Sequence, residues 1–397
     1  MTHPSDEIYC EKSDILEGKR IVMGITGSIA AVECFGVIRE LIRHGAEVVP
    51  VMTAEAQKLV TKDALHFASG YEPITELTGL TEHITLMANK EEADLLLIYP
   101  ATANTISKIA NGIDDTPVTS MATVALGSGV PIAIAPAMHQ AMFDNPAVKE
   151  NIRKLASWGV EFIGPRLDGI RAKAATSEEV VAASMRIMSE GKLRGRKVLV
   201  IGGRSEESID SMRIVTNRSS GQMAVSLAWA AFIEGADVEL WMGGCSVQIP
   251  GYIKTRRFSS VSDLEAMIPE IDHDAVIVPA ALADFTPAQA IEGKISSESS
   301  MDLRLEPVPK MLPLISKRCK KVIGFKAESG LDRDALVAKA SERLKEYGLS
   351  AVVANDIGVA GSDSAAVIYI DGDGSEEIEG SKAEIAMGII DLCARGL

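Results

Sequence analysis

Short apolar runs, each breaking off into glycine, proline or hydroxyl residues and followed by a helical stretch, constrain this chain more than any other feature. Residues 20–25, 46–52, 94–99, 130–135 and 160–163 read as strands. Runs this short and this apolar are buried on both faces, which a parallel sheet covered by helices provides. Residues 29–43, 102–110, 118–126, 145–158 and 177–188 read as helices between and after them. Strands alternating with helices of this length imply βαβ units and right-handed crossovers.

Glycines and charges interrupt the pattern at residues 189–197. It restarts with a strand at 198–203 running into Gly202-Gly203. A helix at 222–234, strands at 237–241, 275–278 and 321–325, a helix at 334–347 and a strand at 351–354 follow. A chain of 397 residues is long for one core. We therefore divide it into a polar extension at 1–17, a first α/β domain at 18–190 and a second, Rossmann-like α/β domain at 195–397. The two are not repeats of one another.

A net charge of -15 and a pI near 5.0 argue against nucleic acid or an anionic membrane as the main partner. A phosphate ligand must then be held locally, by backbone N–H groups and a few chosen cations. The cysteines (Cys10, Cys34, Cys245, Cys319, Cys393) lie far apart, and no pair has metal-ligand spacing, as expected of reduced cytoplasmic thiols. The first residues do not resemble a secretory signal, and no run reaches the ~18 apolar residues of a membrane span.

In the first half, Gly24-Ile25-Thr26-Gly27-Ser28-Ile29-Ala30-Ala31 lacks the GxGxxG spacing of a dinucleotide site. It does offer Gly27 for close approach, the Ser28 hydroxyl and a helix start with free N–H groups, which suit a single phosphate. Thr53, ending the second strand, and Thr102-Ala103-Asn104-Thr105, after Pro100, would add donors on the same edge. The set suggests a pocket for a mononucleotide-sized cofactor. His83 and His139 are expected near strand ends; a structural role for either stays open on the residues alone.

In the second half, Asn217-Arg218-Ser219-Ser220-Gly221 is dense in donors and precedes a helix, so it can receive an anion or simply cap the loop. Val278-Pro279-Ala280-Ala281-Leu282-Ala283-Asp284 places a carboxylate just past a buried strand, with Lys294 beyond it. An acid for a metal or ribose and a lysine for phosphates make a nucleotide set; solvated surface charges are the other reading.

Residues 24–31, Glu82-His83-Ile84, residues 100–112 and residues 136–142 together resemble the cysteine-decarboxylating flavoproteins, phosphopantothenoylcysteine decarboxylases above all. The resemblance implies a flavodoxin-like fold over about residues 18–165, FMN bound at subunit contacts, and trimers or higher assemblies. It makes Gly27, Ser28, Thr53, Thr102, Ala103, Asn104 and Thr105 cofactor-binding and His83 the active-site histidine. A cysteinyl carboxylate has no electron sink beside it; oxidation of the thiol to a thioaldehyde by FMN would supply one. Where the family usually reads Pro-Ala-Met-Asn to hold the substrate carboxylate, this chain has His139. The family's flap cysteine is missing from the short stretch at 164–176, so Arg171 or Lys173 is expected to close over the substrate instead.

The second half resembles phosphopantothenate–cysteine ligases through Gly202-Gly203, Asp210, Arg213, residues 217–221 and 280–285, Lys294, Gly324-Phe325 and Ala354-Asn355-Asp356. These are often fused behind the decarboxylase, and dimerise. That resemblance implies CTP and Mg2+, with Val278, Pro279, Ala280, Asp284, Lys294, Pro309, Lys310, Met311, Leu312, Phe325 and Arg343 as nucleotide contacts. Asn217 would hold an acyl-cytidylate and Lys294 would neutralise departing charge. A family lysine pair aligns with Arg343 and Tyr347, and Lys345 would replace the lost cation. No residue set is assigned to the metal. The whole chain therefore resembles the bifunctional fusion proteins of coenzyme A biosynthesis; a ligase with a flavin-binding regulatory half, or another decarboxylase of the same fold, are the alternatives.

Overall fold

The computed structural model describes residues 3–88, 92–164, 166–168, 171–295, 301–328, 330–356 and 365–397. It divides into two compact units, Met1–Ser189 and Glu190–Leu397.

In the first unit β1 (Arg20–Ile25), β2 (Glu47–Met52), β3 (Leu95–Ala101), β4 (Ile132–Pro136) and β5 (Glu161–Phe162) form a parallel sheet ordered β2-β1-β3-β4-β5. This is the flavodoxin-like order, whose switch point lies between β1 and β3. β3 is buried along its whole length, as a central parallel strand must be. The helices are α1 (Cys34–Arg43), α2 (Lys62–Ser69), α3 (Glu82–Met87), α4 (Ala103–Ala110), α5 (Pro117–Ser128), α6 (Gln140–Phe143), α7 (Pro146–Ser157) and α8 (Ser177–Met188). Local signals set their ends. Pro117 and a Thr116–Thr119 capping box start α5, and Gly129 at φ 77° stops it. The helix expected over 29–43 is split: a 3-10 turn at Ile29–Glu33, with Ile29 and Val32 exposed, precedes α1. A hairpin of β6 (Arg166–Asp168) and β7 (Arg171–Lys173) stands outside the sheet.

The polar N-terminal stretch is part of this unit. The N–H groups of Cys10, Lys12 and Leu16 donate to the carbonyls of Ile42, Arg43 and His44, where α1 has run out of its own donors. Leu16 is 1% exposed beneath them.

The second unit has β8 (Lys197–Gly202), β9 (Glu206–Ser208), β10 (Ile214–Thr216), β11 (Asp237–Met242), β12 (Lys254–Arg257), β13 (Ala275–Val278), β14 (Phe285–Pro287) and β15 (Leu305–Pro307). β16 (Lys321–Glu328), β17 (Ala351–Asp356), β18 (Ala365–Asp371) and β19 (Ser375–Gly380) complete it. The main sheet runs β12-β11-β8-β13-β16-β17-β18-β19, parallel as far as β17 and antiparallel beyond. Its parallel part has the Rossmann order, with the switch point between β8 and β13. One face packs on α9 (Gln222–Ile233) and α13 (Lys382–Ala394), the other on α10 (Val261–Met267), α11 (Met311–Ser316) and α12 (Arg333–Tyr347). Among the described residues no helix is long and apolar enough to cross a membrane.

Candidate active sites

In the first unit the loops after β1 and β3 flank the switch point. A Cβ at Gly27 would lie 2.5 Å from the Cβ of Glu55, so the turn after β1 has room for backbone only. Ser28 opens the 3-10 turn without spending its side chain on a cap. Thr53 ends β2: its N–H donates to the Ile25 carbonyl at 3.1 Å and its Oγ1 accepts from the Ala56 N–H at 3.2 Å. Across the switch point Thr102 caps α4, accepting from the Thr105 N–H at 3.3 Å, and the two hydroxyls lie 3.1 Å apart. The first-turn N–H groups of Ala103 and Asn104 have no intrahelical acceptor and suit an anion. Thr26, which the sequence reading passed over, ties the two sides together. Its Oγ1 donates to the Pro100 carbonyl at 2.6 Å and accepts from the Thr102 N–H at 3.1 Å.

His139 joins this edge, because β4 pairs with β3 and the Ala137 N–H donates to the Ala101 carbonyl at 2.9 Å. It is the N-cap of α6, and its Nδ1 accepts from the Ala141 N–H at 3.2 Å. That bond needs the Nδ1 lone pair, so the ring proton sits on Nε2 and is offered outward. β7, which carries Arg171 and Lys173, lies beside α6 and so near His139. The side chains of Arg171 and Lys173 lie outside the described residues.

His83 does not sit at a strand end, contrary to the expectation. It lies in the first turn of α3, which packs against α5. Thr81 at φ 51° turns the chain into that helix, and the Glu82 carboxylate accepts from the N–H and hydroxyl of Thr78. The Nδ1 of His83 is buried and has no hydrogen-bond partner. A buried polar atom left without a partner is uncommon and unfavourable. The bare glycine turn and the Ser28 hydroxyl, not spent on a cap, suit a phosphate-bearing cofactor.

In the second unit a cleft opens past the end of β13, between α11, β16 and α12. Val278, Ala280, Asp284, Pro309, Lys310, Met311, Leu312, Phe325 and Arg343 line it, with Leu282, Ala283 and Tyr347. Lys310 pairs with Asp284 at the rim. Asn217 reaches the same turn from β10, its Nδ2 donating to the Ala281 and Leu282 carbonyls at 3.3 and 2.9 Å. Ser205 lies beneath: its Oγ accepts from the Ala283 N–H at 2.9 Å. β8 approaches α9 so closely that a Cβ on Gly202 would fall 2.0 Å from the Cβ of Ala224.

Some expected contacts are not in this lining. Pro279 is absent from it, and Lys294 is exposed on a segment held elsewhere. The Ile295 N–H donates to Asp210 at 3.1 Å, and the Ser211 N–H donates to the Gly293 carbonyl at 3.1 Å. Lys345 cannot replace the missing cation: Arg343 and Tyr347 share one helix face four residues apart, and the residue midway between them points away. What Tyr347 offers is its ring, 5.1 Å from the Arg343 guanidinium carbon. No group of three or more metal-ligating side chains occurs among the described residues.

These sites can be set beside known proteins. Residues 10–189 match the family described as Flavoprotein. Residues 193–397 match the family described as the DNA/pantothenate metabolism flavoprotein C-terminal domain. The coenzyme A biosynthesis bifunctional protein CoaBC of Thermococcus kodakarensis is 43% identical, the alignment covering 95% of each chain. That of Methanocaldococcus jannaschii is 41% identical over 98% of this chain and 96% of its own length. That of Vibrio vulnificus is 32% identical over 89% of this chain and 92% of its own. The chain belongs to this bifunctional family. It is accordingly a lyase and a ligase of coenzyme A biosynthesis, a flavoprotein in front and a ligase behind.

Thr26 and Ser205 were missed because a lone hydroxyl after a strand is indistinguishable in sequence from a turn residue. What they bond is visible only from what lies across the sheet.

Proposed function

We propose that the C-terminal half joins cysteine to 4'-phosphopantothenate at the expense of CTP, and that the N-terminal half decarboxylates the product with FMN. The cleft carries the ligase reading, since nucleotide contacts expected from distant parts of the sequence converge on one turn. Asp284 is the carboxylate of the cleft that would hold a Mg2+ ion arriving with CTP, and the ion would offset the charge of the triphosphate. The substrate carboxylate attacks the α-phosphorus and releases pyrophosphate. Asn217 then holds the acyl-cytidylate until the cysteine amine displaces CMP; Lys294, outside the cleft lining, is the cation assigned to the leaving pyrophosphate.

FMN, when bound, supplies the two-electron oxidation that gives the departing carboxylate's electrons a sink, and then returns them. Gly27, Ser28 and the start of α4 hold its phosphate. His83 orients or deprotonates the thiol-bearing carbon, with the flavin seated at a contact between copies of the chain. His139 donates through Nε2–H to the substrate carboxylate. Arg171 or Lys173 is the cation assigned to close over the substrate. The first domain favours trimers or larger assemblies and the second dimers, acting in the cytoplasm.

One assay tests both halves: purified protein with CTP, Mg2+, 4'-phosphopantothenate and cysteine. CMP and CO2 should appear together. CMP without CO2 would leave the ligase and a regulatory flavin half, and neither product would sink the reading. Wild-type CO2 release from both Lys173→Ala and Arg171→Ala would remove the hairpin's role.

A further inference from the structure

Both units fasten their switch points in the same manner. Past β1, Thr26 is 1% exposed and its hydroxyl bridges the Pro100 carbonyl and the Thr102 N–H, on the loop that leaves β3. Past β8, Ser205 is 0% exposed and its hydroxyl takes the Ala283 N–H, on the loop that leaves β13. β1 and β3, like β8 and β13, are the neighbours between which strand order reverses. At such a point adjacent loops diverge to opposite faces, which opens the crevice. In the second unit backbone bonds still join the lips, from the Ala281 N–H to the Gly203 carbonyl at 2.8 Å and from the Ser205 N–H to the Ala281 carbonyl at 3.3 Å, and the buried hydroxyl extends that pairing toward Ala283. In the first unit the Thr26 hydroxyl makes the link itself.

What each bridge holds is specific. In the first unit one lip carries Gly27 and Ser28 and the other Thr102 to Thr105. In the second, Ser205 reaches both lips. Its N–H donates to the Ala281 carbonyl at 3.3 Å, and its carbonyl accepts from the Thr216 hydroxyl at 2.6 Å, next to Asn217. Asp284 follows Ala283 directly.

We propose that Thr26 and Ser205 are positioning residues, each setting from beneath the separation of the two lips that grip the ligand of its own domain. The proposal rests on the functional reading above, with FMN in the first unit and Mg–CTP in the second. Without the hydroxyl, the Thr102 or Ala283 N–H loses its buried acceptor; that is unfavourable enough for the loop to shift toward another partner. The lips then part by the amount of that shift, and the ligand loses contacts on one side.

The test uses the full chain as Thr26→Val, Thr26→Ser and Ser205→Ala, with FMN rebinding after dialysis followed by absorbance and fluorescence, and Mg–CTP binding by calorimetry. Thr26→Val should weaken FMN by about tenfold or more, a change of about 1.4 kcal/mol, and leave Mg–CTP within about twofold. Ser205→Ala should do the reverse. Thr26→Ser, which keeps the hydroxyl, should match the unaltered chain and restore the bound-flavin spectrum. Each variant thus carries its folding control in the other half. Undiminished affinity of either variant for its own ligand, or equal losses of both ligands in one variant, would overturn the proposal. An unaltered chain that fails to bind FMN or Mg–CTP would overturn that half of the functional reading and, with it, that half of the proposal.

Discussion

His139 stands where an asparagine is usual, and its geometry predicts what can replace it. Nδ1 is occupied by the Ala141 N–H at 3.2 Å, which leaves Nε2–H as the one donor facing outward. Asparagine reproduces both functions: its amide oxygen is among the best N-cap acceptors, and its NH2 donates. His139→Asn should therefore decarboxylate 4'-phosphopantothenoylcysteine with a KM within about threefold of the unaltered chain, a difference of under about 1 kcal/mol. His139→Ala loses the donor, and a hydrogen bond to a charged group contributes about 1.5–3 kcal/mol, so KM should rise by about ten- to a hundredfold. Because the carboxylate is held in the bound substrate as well as during its departure, most of the loss should fall on KM. The lost cap adds little, since α6 spans only Gln140–Phe143. His139→Asp keeps the cap but turns an acceptor charge toward the carboxylate, and should be the worst of the three. CO2 release at varied substrate concentration measures all of this. If His139→Asp equalled His139→Asn, or if His139→Asn were as poor as His139→Ala, the clamp assignment would be wrong.

Other consequences are open to direct measurement. Arg343→Ala should raise the KM for CTP by about tenfold, the value of one charge-assisted contact, whereas Lys345→Ala should leave it within about twofold; equal effects would contradict the cleft geometry. The Asp284–Lys310 pair is well exposed on both sides, so Asp284→Asn should shift the melting temperature by no more than about 2 °C while Mg–CTP binding falls sharply. Asp210 titrates against its surroundings. Burial pushes its pKa up, but the N–H groups of Met212, Ile295 and Arg213 and the Arg213 guanidinium outweigh it and hold it at about 2. A depressed carboxylate pKa contributes stability above its unfolded value of about 3.8, and that stability is lost as pH falls toward 2. Asp210→Asn should thus melt lower than the unaltered chain at neutral pH, with the gap closing between about pH 4 and pH 2. A constant gap across that range would exclude the mechanism.

Much of this molecule follows from local sequence. The apolar runs that became β1, β3, β4, β8, β13 and β17 had to be buried on both faces, and the spacing between them left room for a crossover helix each time. The helix signals were local too: Asn145 before Pro146, Pro117 behind a capping threonine, glycine at the end of α5. The antiparallel end of the second sheet was not legible. β19 is mostly exposed and carries glutamates, as an edge strand does, so nothing in its composition marks a strand. α13 is apolar around much of its circumference because it packs against α9 on one side and against β18 and β19 on another. Thr102 and Asp284, flagged by type past strand ends, stand at the two switch points because a parallel sheet gathers strand ends whatever their distance along the chain, whereas Asn217 reaches the second from the β9–β10 hairpin. Tertiary structure alone decided the rest. It turned Lys345 away from the cleft, put His83 on a helix with a buried nitrogen unpaired, and fixed the proton of His139 by giving its other nitrogen a backbone partner. Sequence specifies which groups are present. Which atoms of those groups remain free to act is set by what the fold has already bonded.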